Sequence, residues 1–211
     1  MLATLVSDEL HFPNLSMVGV DDRAAAHTAV AHLIAQGHSK IAVLGGPTTS
    51  FPSRMRRLGA QDAMEQAGLA FDDRLYGLSN YDFESAYHAM NSLLARRAEF
   101  TALFAMSDVI AFGAIRALVS AGFRVPQDVS VIGFDGITMS RYCVPVMTTI
   151  VQPSEQIALQ SIELLINQIE HGARPRPSPC SPSCSRAKAS APAATRSNIS
   201  FDFLPLPVGG K

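Results

Sequence analysis

Cysteine is scarce in this chain: three among 211 residues, with Cys143 alone and Cys180 and Cys184 in a compositionally odd tail. An odd count without framework spacing predicts a reducing compartment, the cytoplasm, rather than a disulfide scaffold. Cys180 and Cys184 supply only half the ligands of a structural zinc site, so no metal is expected. No apolar run approaches the roughly 18 residues of a membrane span, which excludes a helical membrane partner. Residues 1–6 lack a basic leader and do not read as a secretory signal. A formal net charge of −1 argues against a broad basic face for nucleic acid. Signatures of catalysis are missing too. There is no Gly-x-Ser-x-Gly elbow and no His-Glu-x-x-His, and Gly45-Gly46-Pro47 carries no phosphate-loop lysine. His27 and His32 do not share a helix face, and His38 after Gly37 reads as a helix-end contact. The chain is therefore not expected to be an enzyme, and no cofactor is expected.

What the chain does have is regular alternation. Hydrophobic residues make up 47 %, enough for a real core. Residues 122–136, Gly-Phe-Arg-Val-Pro-Gln-Asp-Val-Ser-Val-Ile-Gly-Phe-Asp-Gly, set the pattern. Val129, Val131 and Ile132 predict a short strand buried on both faces. Pro126 is expected to hold the chain extended before it, and Gly133 to let the backbone leave the strand. Asp135 then falls just past the carboxyl end, where open α/β sheets hold their ligands. Further strands are predicted over 2–6, 17–20, 40–44, 74–78, 101–106 and 147–151. Helices are predicted over 23–36, 50–66, 82–96, 109–121 and 153–171. Their starts carry capping residues: Asp21 or Asp22, Ser50 or Pro52, Asp82 or Ser79, and Ser107. Gly37, Gly68 and Gly122 close three of them. The alternation predicts a doubly wound α/β fold, a parallel sheet with helices on both faces. Residues 173–197 shift to Pro, Ser, Ala and Arg, which predicts disorder.

Six segments in register carry a resemblance. Ser39-Lys40-Ile41-Ala42-Val43-Leu44-Gly45-Gly46-Pro47 precedes Ser53-Arg54-Met55-Arg56-Arg57-Leu58-Gly59. Thr101-Ala102-Leu103-Phe104-Ala105-Met106-Ser107-Asp108 precedes Gly113-Ala114-Ile115-Arg116-Ala117-Leu118. The run from Pro126 to Asp135, and Thr148-Thr149-Ile150-Val151-Gln152-Pro153, complete the set. In this order and spacing the chain, over residues 5–172, resembles the effector-binding region of the lactose-repressor (LacI/GalR) family of bacterial transcription regulators. The resemblance implies a periplasmic-binding-protein-like (type I) sensor: two α/β lobes with a small ligand in the cleft between them. A helix-turn-helix headpiece precedes such a sensor. By the same resemblance residues 1–20 are a remnant of the N-terminal subdomain and 21–150 the C-terminal, effector-binding one. Residues 151–172 form a crossover helix, and 173–211 a tail. The implied partners are a sugar or nucleoside-like effector and a second copy in a homodimer. Operator DNA is expected only through a headpiece that this sequence lacks. The crossover helix would have lost its partners, leaving Ile157, Leu164, Leu165 and Ile169 to face solvent or a substitute.

The resemblance also nominates effector-binding residues. Arg54 matches an arginine near the start of the second helix, where a guanidinium offers a planar fork to hydroxyls or carboxylate. Without the register, an arginine among Arg54, Arg56 and Arg57 reads as solvent-facing. Asp135 matches a carboxylate that accepts from ligand hydroxyls, though it could equally serve an Asx-turn. Tyr81 stands where an aromatic stacks on the ligand ring. Gln152 and Asp21 are weaker carry-overs, explained as readily by a crossover strand and a helix cap. Ser107 replaces an asparagine or aspartate of relatives and reads well as a cap; Gly136 replaces a second polar group.

The tail departs from the pattern. Cys180-Ser181-Pro182-Ser183-Cys184-Ser185-Arg186-Ala187-Lys188-Ala189 stands where the family carries a last strand of the type Leu-Pro-x-Glu-Leu-x-x-Arg-x-Ser. Codons for these residues, read two bases later, can spell Leu-Ala-Glu-Leu-Leu-Ala-Arg-Gln-Ser, which suggests a frameshift near Arg174. Two other readings compete with a truncated sensor: a periplasmic-type sugar-binding protein, which calls for an exported leader, and a non-functional gene remnant.

Overall fold

The structure is a computed structural model that describes residues 4–5, 16–171 and 188–190. Eight strands and five helices are described: β1 (Thr4–Leu5), β2 (Ser16–Met17), α1 (Asp22–Ala35), β3 (Ile41–Gly45), α2 (Phe51–Gln66), β4 (Tyr76–Leu78), α3 (Phe83–Ala95), β5 (Ala102–Ala105), α4 (Asp108–Ser120), β6 (Ser130–Asp135), β7 (Thr148–Val151), α5 (Ser154–His171) and β8 (Lys188–Ser190). The main sheet has the order β4-β3-β5-β6-β7-β8. Its first five strands are parallel, and β8 pairs antiparallel to β7. β1 and β2 form a separate parallel pair.

The doubly wound α/β fold expected from the alternation is the fold observed. Every residue of β3 and of β5 is buried, as strands covered on both faces must be. α1 packs with α2 and α3 with α4, as two helical layers. Each pair closes on a glycine, because a Cβ on Gly59 would lie 2.0 Å from the Arg23 carbonyl oxygen and one on Gly113 2.5 Å from that of Phe83. Phe104, Phe134, Leu103, Ile132 and Met90 fill the core between the layers.

Most helix starts are settled by one hydrogen bond each. Asp21 accepts from Ala24 N–H, Ser50 from Ser53 N–H, Asp82 from Ser85 N–H and Ser107 from Ile110 N–H. Ser79 does not cap; its hydroxyl donates to the Gly45 carbonyl. Several boundaries differ from expectation. The strand predicted over 74–78 begins only at Tyr76, because Asp72 caps a short 3₁₀ turn at Asp73–Leu75. Pro126 lies in a turn with a cis peptide bond, not in extended chain. β6 runs through Gly133 to Asp135, so Gly133 does not end the strand. Lys188–Ser190, inside the tail expected to be disordered, pairs with β7; the rest of that tail lies outside the described residues. On α5, Ile157 is buried and Leu164 and Leu165 half-buried, as residues that find a substitute partner, while Ile169 faces solvent.

The order of the strands decides where a ligand could sit. From β3 the chain moves outward to β4, then returns past β3 to β5 and continues to β6. Successive connections therefore leave β3 and β5 on opposite faces, and a crevice opens between their carboxyl ends.

Candidate functional site

The centre of the crevice is an arginine. On α2 the buried positions are Ser53, Arg56, Gly59, Ala60, Ala63 and Met64, one helical stripe. Arg56 falls on that stripe, so the sheet, and not solvent, receives its side chain. Its guanidinium lies 3.7 Å above the Phe134 ring centroid. Nε donates to Asp22 Oδ1 at 2.7 Å, and Nη1 donates to the Met106 carbonyl at the end of β5. Nη1 also stands 3.8 Å from Asp135 Oδ1. One side chain thus ties α1, α2, β5 and β6 together across the crevice.

Asp135 closes the row. It is the last residue of β6 and adopts φ 121°, a left-handed backbone that only a rigid surrounding maintains in a non-glycine residue. Gln152, just beyond β7, donates to its Oδ1 at 2.6 Å. Burial pushes the Asp135 carboxyl up to about 6; Arg56 and the Gln152 hydrogen bond pull it down, and the nearby Asp108 carboxylate raises it. Asp135 is therefore mostly ionised at neutral pH but reluctantly so.

Tyr81, beyond β4, is the other strained residue here, at φ 60°. Its ring lies so close over Gly46 that a Cβ there would meet Cε2 at 2.0 Å. The Tyr81 hydroxyl is buried and has no hydrogen-bond partner among the described residues. Ser53 connects this corner to the centre, its hydroxyl donating to the Gly46 carbonyl at 3.0 Å and lying 3.8 Å from the Met106 sulfur.

Asp135 ends β6, and Gln152, Tyr81 and Ser107 follow the carboxyl ends of other parallel strands, so the four share one rim of the sheet. Arg54 does not join them. It is exposed, donates to the Thr49 and Thr48 carbonyls in its own turn, and stacks on Phe51. A side chain two residues from Arg56 points some 200° around the helix, which is why only one of the pair reaches the crevice. Asp21 is likewise an exposed cap, and its neighbour Asp22 is the carboxylate that meets Arg56. Ser107 is buried, but its hydroxyl oxygen is engaged by α4. The stripe of Ser53, Gly59, Ala60 and Ala63 was the signal in the sequence that selects Arg56 over Arg54.

A doubly wound sheet with an arginine, two carboxylates and a tyrosine on its carboxyl rim defines a small-molecule-binding α/β domain. Comparison with known proteins narrows the class. The model of the periplasmic binding protein-like domain matches residues 30–186. The HTH-type transcriptional repressor PurR of Haemophilus influenzae is 38 % identical over 161 residues, 75 % of this chain and 48 % of that protein. The transcriptional repressor ascG of Escherichia coli is 35 % identical with a TM-score of 0.71, over 77 % of this chain and 59 % of that one. A transcriptional regulator CelR–cellobiose complex is 31 % identical with a TM-score of 0.76, over 82 % and 53 %. The chain belongs to the periplasmic binding protein-like family, as an effector-binding region of the LacI/GalR type. It spans about half the length of the curated relatives it matches.

Proposed function

We propose that this chain is the ligand-sensing portion of a LacI-type transcription regulator, and that its effector is a neutral, hydroxyl-bearing molecule: a small sugar or a nucleoside. The observation that carries the reading is the row Asp22–Arg56–Asp135–Gln152, hydrogen-bonded at its two ends and joined in the middle by a 3.8 Å ion pair, at the crevice where the strand order reverses. Two carboxylates against one guanidinium leave that row with no surplus positive charge, which disfavours an anionic ligand. A ligand hydroxyl can donate to Asp135, and the Tyr81 ring offers an apolar face to a sugar or base. Arg56 takes the part first assigned to Arg54. Ser107 and Asp21 then serve as caps, and Gln152 steadies Asp135.

In this reading operator DNA is contacted by a headpiece outside these 211 residues, and the protein works in the cytoplasm, as a homodimer. The helices of residues 22–120 are committed to the two faces of the sheet, and no described helix is long and apolar enough to cross a membrane. Calorimetry of the chain against a panel of neutral sugars and nucleosides tests the reading. At least one member is expected to bind, and Asp135→Asn to weaken it about tenfold or more, since a hydrogen bond to a charged group is worth about 1.5–3 kcal/mol. Arg54→Ala is expected to leave that binding unchanged. A panel without a binder, or a binder insensitive to Asp135→Asn, refutes it.

A further inference from the structure

Asp108 is a buried acid that lies behind the ligand site, with its carboxylate turned away from the crevice groups Arg56 and Gln152. It occupies the first turn of α4 and has no exposed surface. A first-turn aspartate ordinarily serves its own helix from the surface. The hydrogen bonds of Asp108 go elsewhere. Oδ1 accepts from Thr149 Oγ1 of β7 at 2.5 Å, and Oδ2 accepts from the Ile137 N–H at 2.8 Å. The backbone N–H groups of Gly136 and Phe134 also point at the carboxylate. Three of the four amides from 134 to 137 thus converge on one side chain, and the missing one belongs to Asp135. The clasp is reciprocal, because the Asp108 backbone N–H points at the Asp135 carboxyl. Room for it comes from Gly133, where a Cβ would lie 2.3 Å from Asp108 Oδ1.

We propose that Asp108 is a positioning residue for the effector site, wrapping residues 134–137 around its carboxylate and so imposing the left-handed backbone that turns Asp135 towards Arg56 and Gln152. The proposal rests on the reading of Asp135 as an effector group, but its mechanical content is independent of any ligand. The groups that face Asp135 are Arg56 from α2, Asp108 from α4 and Gln152 beyond β7, with Asp22 of α1 acting through Arg56. Burial holds the Asp108 carboxyl above its usual range, with Thr149 and the loop amides pulling it down. Loss of any one of those donors therefore loosens the clasp.

The test uses the 211-residue chain without ligand. Carboxyl-carbon NMR follows the titration of Asp135, and amide hydrogen exchange follows Gly136 and Ile137. In Asp108→Asn the like charge is gone, so the Asp135 midpoint falls below about 6, while burial still holds it above the ordinary carboxylate range. Both amides then exchange about tenfold faster, the expected loss of one buried charged acceptor. Thr149→Val keeps the charge but frees Oδ1; it speeds the same amides without lowering the midpoint, and Thr149→Ser restores them. Should Asp108→Asn fail to fold by circular dichroism, the Thr149 pair decides alone. Unchanged amide exchange in either folded variant overturns the proposal. A chain that shows these shifts yet binds no member of the sugar and nucleoside panel keeps the clasp and loses the effector reading.

Discussion

Replacing Asp135 by asparagine sets stability and function against each other. The carboxyl moves from its usual 3.8 to about 6 on folding, mainly through burial. A folded value above the unfolded one means that the folded protein holds this proton more tightly. Stability from that proton is fully present below pH 3.8 and lost as the pH rises through about 6. Two pH units correspond to about 3 kcal/mol, so at pH 7.5 the ionised group costs the fold roughly that much. Asparagine has the shape of the neutral acid, can still accept from Gln152, and tolerates a left-handed backbone at least as well. The variant is therefore expected to be more stable by about 1–3 kcal/mol at pH 7.5, an advantage that shrinks by about 2 kcal/mol at pH 4.5. Urea unfolding of both proteins at the two pH values measures it. A variant less stable than the parent by more than about 1 kcal/mol at pH 7.5, or a difference indifferent to pH, refutes the account of Asp135 as a strained, half-buried acid.

Arg56→Met is expected to cost about 3–5 kcal/mol, since it takes the guanidinium away from Asp22, from the Met106 carbonyl and from the Phe134 ring. Arg54→Ala should stay within about 0.5 kcal/mol of the parent in the same unfolding assay, being exposed and bonded only within its own turn. Gly59→Ala forces a methyl to 2.0 Å from a backbone oxygen and should lower stability by about 1–3 kcal/mol, read as a fall in melting temperature. On α5 the exposed Leu159, Ile162, Ile166 and Ile169 recur at spacings of 3, 4 and 3 residues, a single apolar stripe. Ile162→Glu with Ile166→Glu is expected to reduce concentration-dependent light scattering while leaving the melting temperature of the core within about 2 °C. Read in all three frames, the gene tests the frameshift near Arg174: an alternate frame encoding Leu-Ala-Glu-Leu-Leu-Ala-Arg-Gln-Ser is the expected result.

Legibility differed sharply between fold and site. Strand and helix order could be read because each element needs only its own periodicity and caps. Asp21, Ser50, Asp82 and Ser107 fix helix starts through bonds that reach three residues along the chain. The rim position of Asp135 was legible for a similar reason, since in a parallel sheet the residues at the strands' carboxyl ends gather on one rim. Two nominated residues, Arg54 and Asp21, lie off the row: Arg54 is two residues from Arg56 on the same helix and faces solvent, and Asp21 is the cap just before Asp22. In the run Arg54-Met55-Arg56-Arg57 the residue types are nearly degenerate, and helical phase alone separates them.

By itself, then, the sequence determined the alternation of strands and helices, the parallel doubly wound class and the rim on which ligand groups gather, because these follow from local periods of two and 3.6 residues. Tertiary structure decided which arginine and which aspartate enter the crevice. It also decided the role of Asp108, which is set by amides at positions 134 to 137 and a hydroxyl at 149. Those partners lie some 26 to 41 residues away along the chain, and no local period encodes a contact at that separation. Only the packing of α4 against β6, with β7 beside it, brings that carboxylate beneath the turn that holds Asp135.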